Sequence, residues 1–497
     1  MTAAPETPTS TAPPRVAHTP APAAPAAPAA VQGAATAAAG TATAGPVRSA
    51  RRTGLALAAV CLGFFMILLD GSALNIALPA IERDVHGSMA ALQWVVTIYT
   101  IPLASVLLTA GSISDRWGAR RLFVSSLAGF TAASLLCALS PNLTVLVAAR
   151  FLQGVAAGGL LPTTLAIIAR TYPDPIERAK AITVWGATGG LALVAGPIGG
   201  GALTELIGWR SIFLINVPVG LLTLFLALRY ADETPRRASR AADLPGQVTG
   251  IVALSAMVAY LIEGGSLGWT SPLPLGLLAL AVTTAAGFVA VEARTAHPML
   301  PLAVFRRAAF SASITNGFAF QFGGYGMQFM LAIYLQQHWH ISAERTGVYF
   351  LPFSVAWVFG TIVLNRRLIG RGPRFLLWTG ALSSFVGSIL LLGVTGRDTL
   401  PLFVAGTALA GLGCGVFSPS LNAAALLAID PAYAGLGSGV LNTARQVGMA
   451  MGVALLGSLI GMHDALLGLR VSVVLVAVCF FAIIALSVAY VPRKETA

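Results

Sequence analysis

Fourteen apolar runs, most of about 20 residues or more, follow one another from Gly54 to Val491, with only short charged or Pro/Gly-rich breaks between them. Backbone amides inside a bilayer have no water to bond to, so a run of this length must close its hydrogen bonds internally, as a helix. The runs cover 54–78, 91–110, 121–140, 143–169, 180–206, 210–230, 246–264, 273–292, 310–336, 345–365, 374–394, 401–428, 437–461 and 469–491. Charged residues are 10% of the chain and apolar ones 56%, where a soluble protein carries about 25% charged. The expected fold class is therefore all-α, a polytopic membrane protein with 14 transmembrane helices.

The net charge of +12 raises the question of nucleic acid or another anionic partner. Its placement answers it. Arginines crowd alternate loops (Arg51 and Arg52; Arg116, Arg120 and Arg121; Arg170 and Arg178; Arg366, Arg367 and Arg371), while the opposite loops hold Arg83, Arg210, Arg345, Arg397 and Arg470. That asymmetry follows the positive-inside rule and puts both termini in the cytoplasm. Residues 1–50 form an Ala/Pro/Thr-rich stretch without an apolar signal region, expected as a disordered cytoplasmic tail. Cys61, Cys137, Cys414 and Cys479 all fall inside apolar runs and lack the spacing of a metal site or a disulfide framework. Neither lysine, Lys180 or Lys494, belongs to a phosphate-binding loop, so an ATP-driven pump within one chain is excluded. No metal and no cofactor are expected. The histidines His338 and His340, two apart in an external loop, read as solvated.

An internal repeat organises the spans. "LQGVAAGGLLPTT" (152–164) aligns with "LAGLGCGVFSPSL" (409–421), pairing Gly154 with Gly411, Gly158 with Gly415 and Pro162 with Pro419 at a constant offset of 257. Segments 1–6 then recur as segments 9–14, with 7 and 8 inserted. The expected division is a bundle over 51–232, two extra helices with linkers over 233–308, a second bundle over 309–491 and a short tail, 492–497. Repeats of this kind build many secondary transporters, whose substrate sites lie where the repeats meet.

"GSISDRWGARR" (111–121) gathers Gly111, Asp115, Arg116, Gly118, Arg120 and Arg121 between segments 2 and 3. The glycines permit a tight turn, and Asp115 is placed to face a helix N-terminus, where an anion is favoured. An ionic latch for a gating loop and a plain positive-inside loop are both open readings.

With these residues in view, the chain resembles the major facilitator superfamily, and within it the fourteen-span drug:proton antiporters. The 111–121 stretch is similar to that superfamily's loop signature, "ARFLQGVAAGG" (149–159) to its segment-4 motif, and "GPIGGG" (196–201) to its segment-5 antiporter motif. "LDGSALNIALP" (69–79), "GWRSIFLINVPVG" (208–220) and "HPMLPLAVFRRAAF" (297–310) also resemble fourteen-span members. Ala119 stands where arginine is common, and Ala192 where the longer segment-5 pattern has glycine. The resemblance implies two six-helix bundles plus two inserted helices, alternating access, and a role for Arg150 in proton transfer.

Three charges lie inside spans: Asp70, Arg150 and Arg445. Each is costly unless it faces the protein interior or water. Loss of water favours the neutral form of a carboxyl, which suits Asp70 as the group that takes up and releases a proton; a permanently bonded structural acid is the other reading. Arg150, with Gln153 three residues on and so on the same helix face, can displace a proton from a nearby acid or serve as a buried anchor. Arg445 is either a substrate contact or an anchor. In segment 5, Gly196, Pro197, Gly200 and Gly201 allow a close dry helix contact and a proline kink able to act as a hinge. Further candidates for a cavity holding bulky amphiphiles are Asn75, Trp94, Tyr99, Gln153, Asn316, Gln321, Tyr325, Gln328 and Asn442; aromatics at this depth also serve as packing or interface anchors.

The expected function is proton-driven export of a drug, antibiotic or related organic compound across the cytoplasmic membrane. The alternatives are a dedicated metabolite carrier and a non-transporting membrane receptor. An enzyme is not expected, because no nucleophile–base–acid set occurs. The partners are a small organic substrate, protons and the lipid bilayer, with no nucleic acid; the sequence leaves the oligomeric state open and is compatible with a monomer.

Overall fold

The computed structural model describes residue 2 and residues 50–85, 87–234, 243–295, 298, 300, 302–429, 434–461 and 464–493. The N-terminal tail and the last residues of the C-terminal tail lie outside that set, as do Arg236, Arg237, Arg240 and His297.

Fourteen helical segments follow in order. They are α1 Ala50–Val85, α2 Met89–Trp117, α3 Ala119–Ala138, α4 Leu143–Thr171, α5 Pro175–Leu206, α6 Arg210–Tyr230, α7 Leu244–Leu267 and α8 Pro272–Arg294. Then come α9 Ala308–Gln337, α10 Ala343–Arg371, α11 Pro373–Leu391, α12 Leu400–Leu427, α13 Ala434–Ile460 and α14 Ala465–Tyr490. No strand occurs among the described residues. Short polar residues start the helices by accepting their free amides. Ser88 Oγ accepts from Ala91 N at 3.3 Å, Asn142 Oδ1 from Val145 N at 3.0 Å, and Asp174 Oδ1 from Ile176 N and Glu177 N at 3.0 and 2.9 Å.

Thirteen of these helices are long and apolar enough to cross a membrane. The remaining one, α9, has 30 residues but carries Asn316, Gln321, Gln328, Gln336 and Gln337. It can afford them because little of it meets lipid: α9 packs against α1, α12, α13 and α14 and is buried along most of its length.

The helices sort into two bundles with matching contacts. In the first, α1 packs on α5 and α6, α4 on α2 and α3, and α3 on α6. In the second, α9 packs on α13 and α14, α12 on α10 and α11, and α11 on α14. Each pair in the first list has its counterpart eight helices later. The aligned glycines serve the same contact in both halves, since an added Cβ would run into the Tyr99 carbonyl of α2 at Gly154 and into the Phe353 carbonyl of α10 at Gly411. A second echo escaped the sequence reading. Gly196 and Gly200 of α5 press on Ser72 and Ala73 of α1, while Gly448 and Gly452, at an offset of 252, press on Phe318 and Phe322 of α9. The bundles meet along two equivalent seams, α2 against α13 and α10 against α5. Of the inserted pair, α7 lies against α2 and α13, and α8 packs on α7 with most of its surface exposed.

One local expectation is corrected. Residues 111–117 form no loop: α2 continues to Trp117, so Gly111, Asp115 and Arg116 are helical, and the turn is made by Gly118 alone at φ 99°. That left-handed value suits glycine. Pro197 lies inside α5, whose helical hydrogen bonding runs from Pro175 to Leu206. Its glycine-rich neighbours let α1 and α10 close around the helix. The irregular turn of that seam is in α10, where Gly360–Leu364 is π-helical.

Candidate transport site

Asp70 bonds two other helices, α4 and α6, within a cluster that also draws on α2 and α3. Arg150 of α4 donates from Nη1 to Asp70 Oδ2 at 2.6 Å, Gln153 from Nε2 to Oδ1 at 3.0 Å, and Asn216 of α6 from Nδ2 to Oδ1 at 3.2 Å. The two charged side chains are 0 and 1% exposed. Arg150 Nη1 also reaches Gln153 Oε1 at 2.7 Å, and its Nε donates to the Val95 carbonyl of α2 at 3.2 Å. Its guanidinium carbon sits 4.2 Å from the Tyr99 ring centre. Ser134 of α3 closes the cluster by accepting from Gln153 Nε2 at 2.8 Å.

A carboxylate with an Arg partner and two amide donors has its charge compensated in a medium of low dielectric. Arg150 would keep Gln153 and Val95 if Asp70 were protonated. The arrangement can thus gain or lose one proton without leaving the guanidinium bare. Asn216 and Ser134 were missed from the sequence. Asn216 had a signal, a lone amide within an apolar run, which is the same anomaly that marked Asp70. Ser134 had none.

The residue after Asp70 joins the second bundle, because Tyr325 of α9 donates to the Gly71 carbonyl at 2.5 Å. Towards the end carrying the α1–α2 and α9–α10 connections, Gln336 Nε2 donates to the Ile76 carbonyl at 2.9 Å and Gln337 Nε2 to Glu82 Oε2 at 2.5 Å. Gln93 Nε2 of α2 donates to the Ala454 carbonyl of α13 at 3.1 Å. At the same end Gly201 abuts Ala343, its added Cβ falling 2.7 Å from that carbonyl, and the Pro197 carbonyl lies against Gly347. The two bundles are drawn together on this side.

The other predicted residues divide. Tyr99 is buried with its hydroxyl unbonded, and the Asn75 amide stands beside the Tyr325 hydroxyl without completing a hydrogen bond. Gln321, Tyr325 and Gln328 are half-exposed on one stripe of α9, and Gln321 Nε2 also contacts Met449 Sδ at 3.8 Å. Asn442, half-exposed, bonds its own helix at the Ser438 carbonyl. Two candidates sit elsewhere. Asn316 is fully buried and donates to Ser487 Oγ of α14 at 3.0 Å, and Trp94 turns to α7, donating from Nε1 to Glu263 Oε1 at 3.1 Å.

Among the described residues, the anion at the start of α3 is Glu233. Glu233 Oε1 accepts from Arg120 N at 3.0 Å and Thr234 Oγ1 from Ala119 N at 2.8 Å. Arg120 donates to the Ala227 and Leu228 carbonyls ending α6, and Arg121 Nε lies 3.8 Å from Glu233 Oε2. The side chain of Asp115 lies outside the described residues.

A family model described as Major Facilitator Superfamily matches residues 60–453. The chain is 35% identical over 407 residues to multidrug resistance protein Stp of Mycobacterium tuberculosis, covering 82% of this chain and 75% of Stp. It is 33% identical to the methylenomycin A resistance protein of Streptomyces coelicolor, covering 82% and 85%. With the puromycin resistance protein of Streptomyces alboniger the identity is 37%, covering 79% and 78%. Among solved structures it is similar to the human organic anion transporter MFSD10 (TM-score 0.61, 16% identity, 87% of this chain and 99% of that one). It is also similar to a peptide transporter POT (TM-score 0.65, 14% identity, 88% and 95%). Likenesses at that identity speak for the fold alone. A family match over most of the chain, together with bundles that repeat helix for helix, decides the classification: this chain belongs to the major facilitator superfamily, as a multi-pass membrane transport protein and not an enzyme.

Proposed function

We propose that the chain is a fourteen-span proton antiporter of the cytoplasmic membrane, both termini inside, which exports an organic compound of the drug or antibiotic kind. One observation carries this reading. Asp70 holds the buried charge of the first bundle, while its neighbour Gly71 holds the second bundle through Tyr325. A proton on Asp70 dissolves the ion pair at the point where α1 meets α9, so protonation and bundle contact act on the same turn of helix. With the ends of α1 and α9 drawn together and the termini inside, this is the conformation open to the cytoplasm. Protonation from outside and substrate from inside then alternate as residues 51–232 rock against 309–491. Each proton entering down the potential supplies about 2.3 kcal/mol per 100 mV. Export rather than import is supported by the resistance proteins among the relatives.

The test uses everted vesicles carrying the full chain. Under an imposed pH gradient, wild type should accumulate members of a panel of lipophilic dyes and antibiotics and release protons as it does so. Asp70→Asn should fold and bind but lose proton-coupled accumulation. Equal accumulation by both proteins refutes Asp70 as the coupling group.

A further inference from the structure

Of the three intramembrane charges, two neutralise each other and the third, Arg445, is left over. Its guanidinium carbon lies 5.8 Å from the Phe320 ring centre, and among the described residues it makes no hydrogen bond and no ion pair. The side chain is half-exposed. The described acids of the second bundle do not reach it: Glu344, Asp398 and Asp464 lie at helix starts. In the first bundle Asp70 is already held by Arg150.

Arg445 packs beside Gly317 of α9, one turn from the half-exposed stripe Phe318, Gln321, Tyr325 that faces α1. An uncompensated guanidinium at membrane depth is costly unless a counter-charge or water reaches it. Among the described residues none supplies that counter-charge, which leaves a partner from outside the chain. A guanidinium fork matches a carboxylate in two parallel hydrogen bonds, and the Phe320 ring lies against it, with Phe318, Gln321 and Tyr325 further along the same helix.

We propose that Arg445 is the specificity-determining residue of the substrate site, and that the compound carried is an aromatic or otherwise apolar acid whose carboxylate, or comparable anionic group, pairs with it. This rests on the transport reading above and names its substrate class.

The experiment measures binding of dansylglycine and of its methyl ester to the purified full chain in nanodiscs, by the change in dansyl fluorescence. The two probes differ in the negative charge. Wild type should bind the acid at least 10-fold more tightly than the ester, a preference that one charge-assisted pair supports. Arg445→Gln should weaken the acid about 10-fold or more and leave the ester unchanged, and Arg445→Lys should restore part of the preference. Equal binding of the two probes by wild type, no binding of the acid, or an acid preference that survives Arg445→Gln overturns the proposal. Asp70→Asn in the same assay separates the two readings. Selective acid binding through Arg445 by a chain that moves no protons in everted vesicles leaves acid recognition standing and removes the exchange reading.

Discussion

Replacing Arg150 with methionine tests whether the Asp70 cluster is held by charge or by packing. The Arg150→Met side chain keeps an apolar stem in the 1%-exposed site but removes the donors to Asp70 Oδ2, Gln153 Oε1 and the Val95 carbonyl. Asp70 is left as a buried carboxylate with two neutral donors, Gln153 Nε2 at 3.0 Å and Asn216 Nδ2 at 3.2 Å. Taking one partner from a buried pair costs about 3–5 kcal/mol, most of it the bare charge that remains. The double change Asp70→Asn with Arg150→Met removes that charge, and the new amide oxygen still accepts from Gln153 and Asn216. What remains is imperfect pairing, about 1–2 kcal/mol. The double variant should therefore be more stable than Arg150→Met alone by about 2–3 kcal/mol, or about 2–3 °C in Tm for a chain of this size. The assay is intrinsic-fluorescence melting of the purified proteins in one detergent. A double variant no more stable than the single, or an Arg150→Met protein melting like wild type, refutes the argument that compensated charge holds these helices together.

Other outcomes follow from the same geometry. Gly154→Ala and Gly411→Ala each drive a Cβ into a backbone carbonyl of the neighbouring helix and should cost about 1–3 kcal/mol, read as lower Tm and yield. Gly111→Ala, with no atom within 4 Å of the new carbon, should leave the Tm unchanged or slightly higher. Glu233→Ala removes the acceptor for Arg120 N and should cost about 1 kcal/mol, measured by the same melts; an unchanged Tm refutes Glu233 as the cap of α3. The pair Gln336→Ala with Gln337→Ala removes two hydrogen bonds between the bundles. At about 0.5–1.5 kcal/mol each, this should raise the population open on that side about 5-fold or more. Faster maleimide labelling of an added Gln328→Cys from that side would report it, and unchanged labelling counts against these bonds as the closure.

Helix number was legible because it depends on length and apolarity, which are local, while edges shifted by up to seven residues where polar turns continue a helix, as at Trp117. The Asp70–Arg150–Gln153 core of the site was legible for a related reason: charge inside an apolar run is an anomaly that only a partner resolves, and Arg150 and Gln153 share a face by spacing alone. What failed were partners distant in sequence. The charges of 111–121 look the same whether they sit in a loop or on the last turns of α2, and the acid they use, Glu233, lies more than 110 residues further on. Asn316 shows how far periodicity reaches. It stands nine residues before Tyr325, and nine steps of 100° place the two on opposite faces of α9. Had Tyr325 been known to face α1, Asn316 could have been assigned to the interior, where it meets Ser487. The amide itself is silent about which face it occupies.

The inserted helices break a symmetry that the repeat would otherwise impose. Two bundles related helix for helix have two equivalent seams, α2 with α13 and α10 with α5. Only the first is strapped. There α7 receives the Trp94 indole on Glu263 at 3.1 Å and the Ser458 hydroxyl on the Leu261 carbonyl at 2.8 Å, so it is bonded to both sides of the seam at once. Gln247 Nε2 adds a third bond, to Thr109 Oγ1 at 3.2 Å, near the other end of α2. The second seam is bordered instead by an apolar groove of Val194, Val355, Val358, Phe359, Ile362 and Val363, next to the π-helical turn of α10. A helix bonded to both members of a seam resists their separation at each bond, whereas contacts between branched apolar side chains slide at little cost until surface is exposed. In the proposed exchange cycle, rocking of the bundles would therefore take the strapped seam as its stiffer side and the α5–α10 seam as the side that shears. In that cycle Pro197 and Gly201, which meet Gly347 and Ala343 through close backbone contact, would sit on the moving side of the fold, and Gly196, pressed on Ser72, would stay with the first bundle.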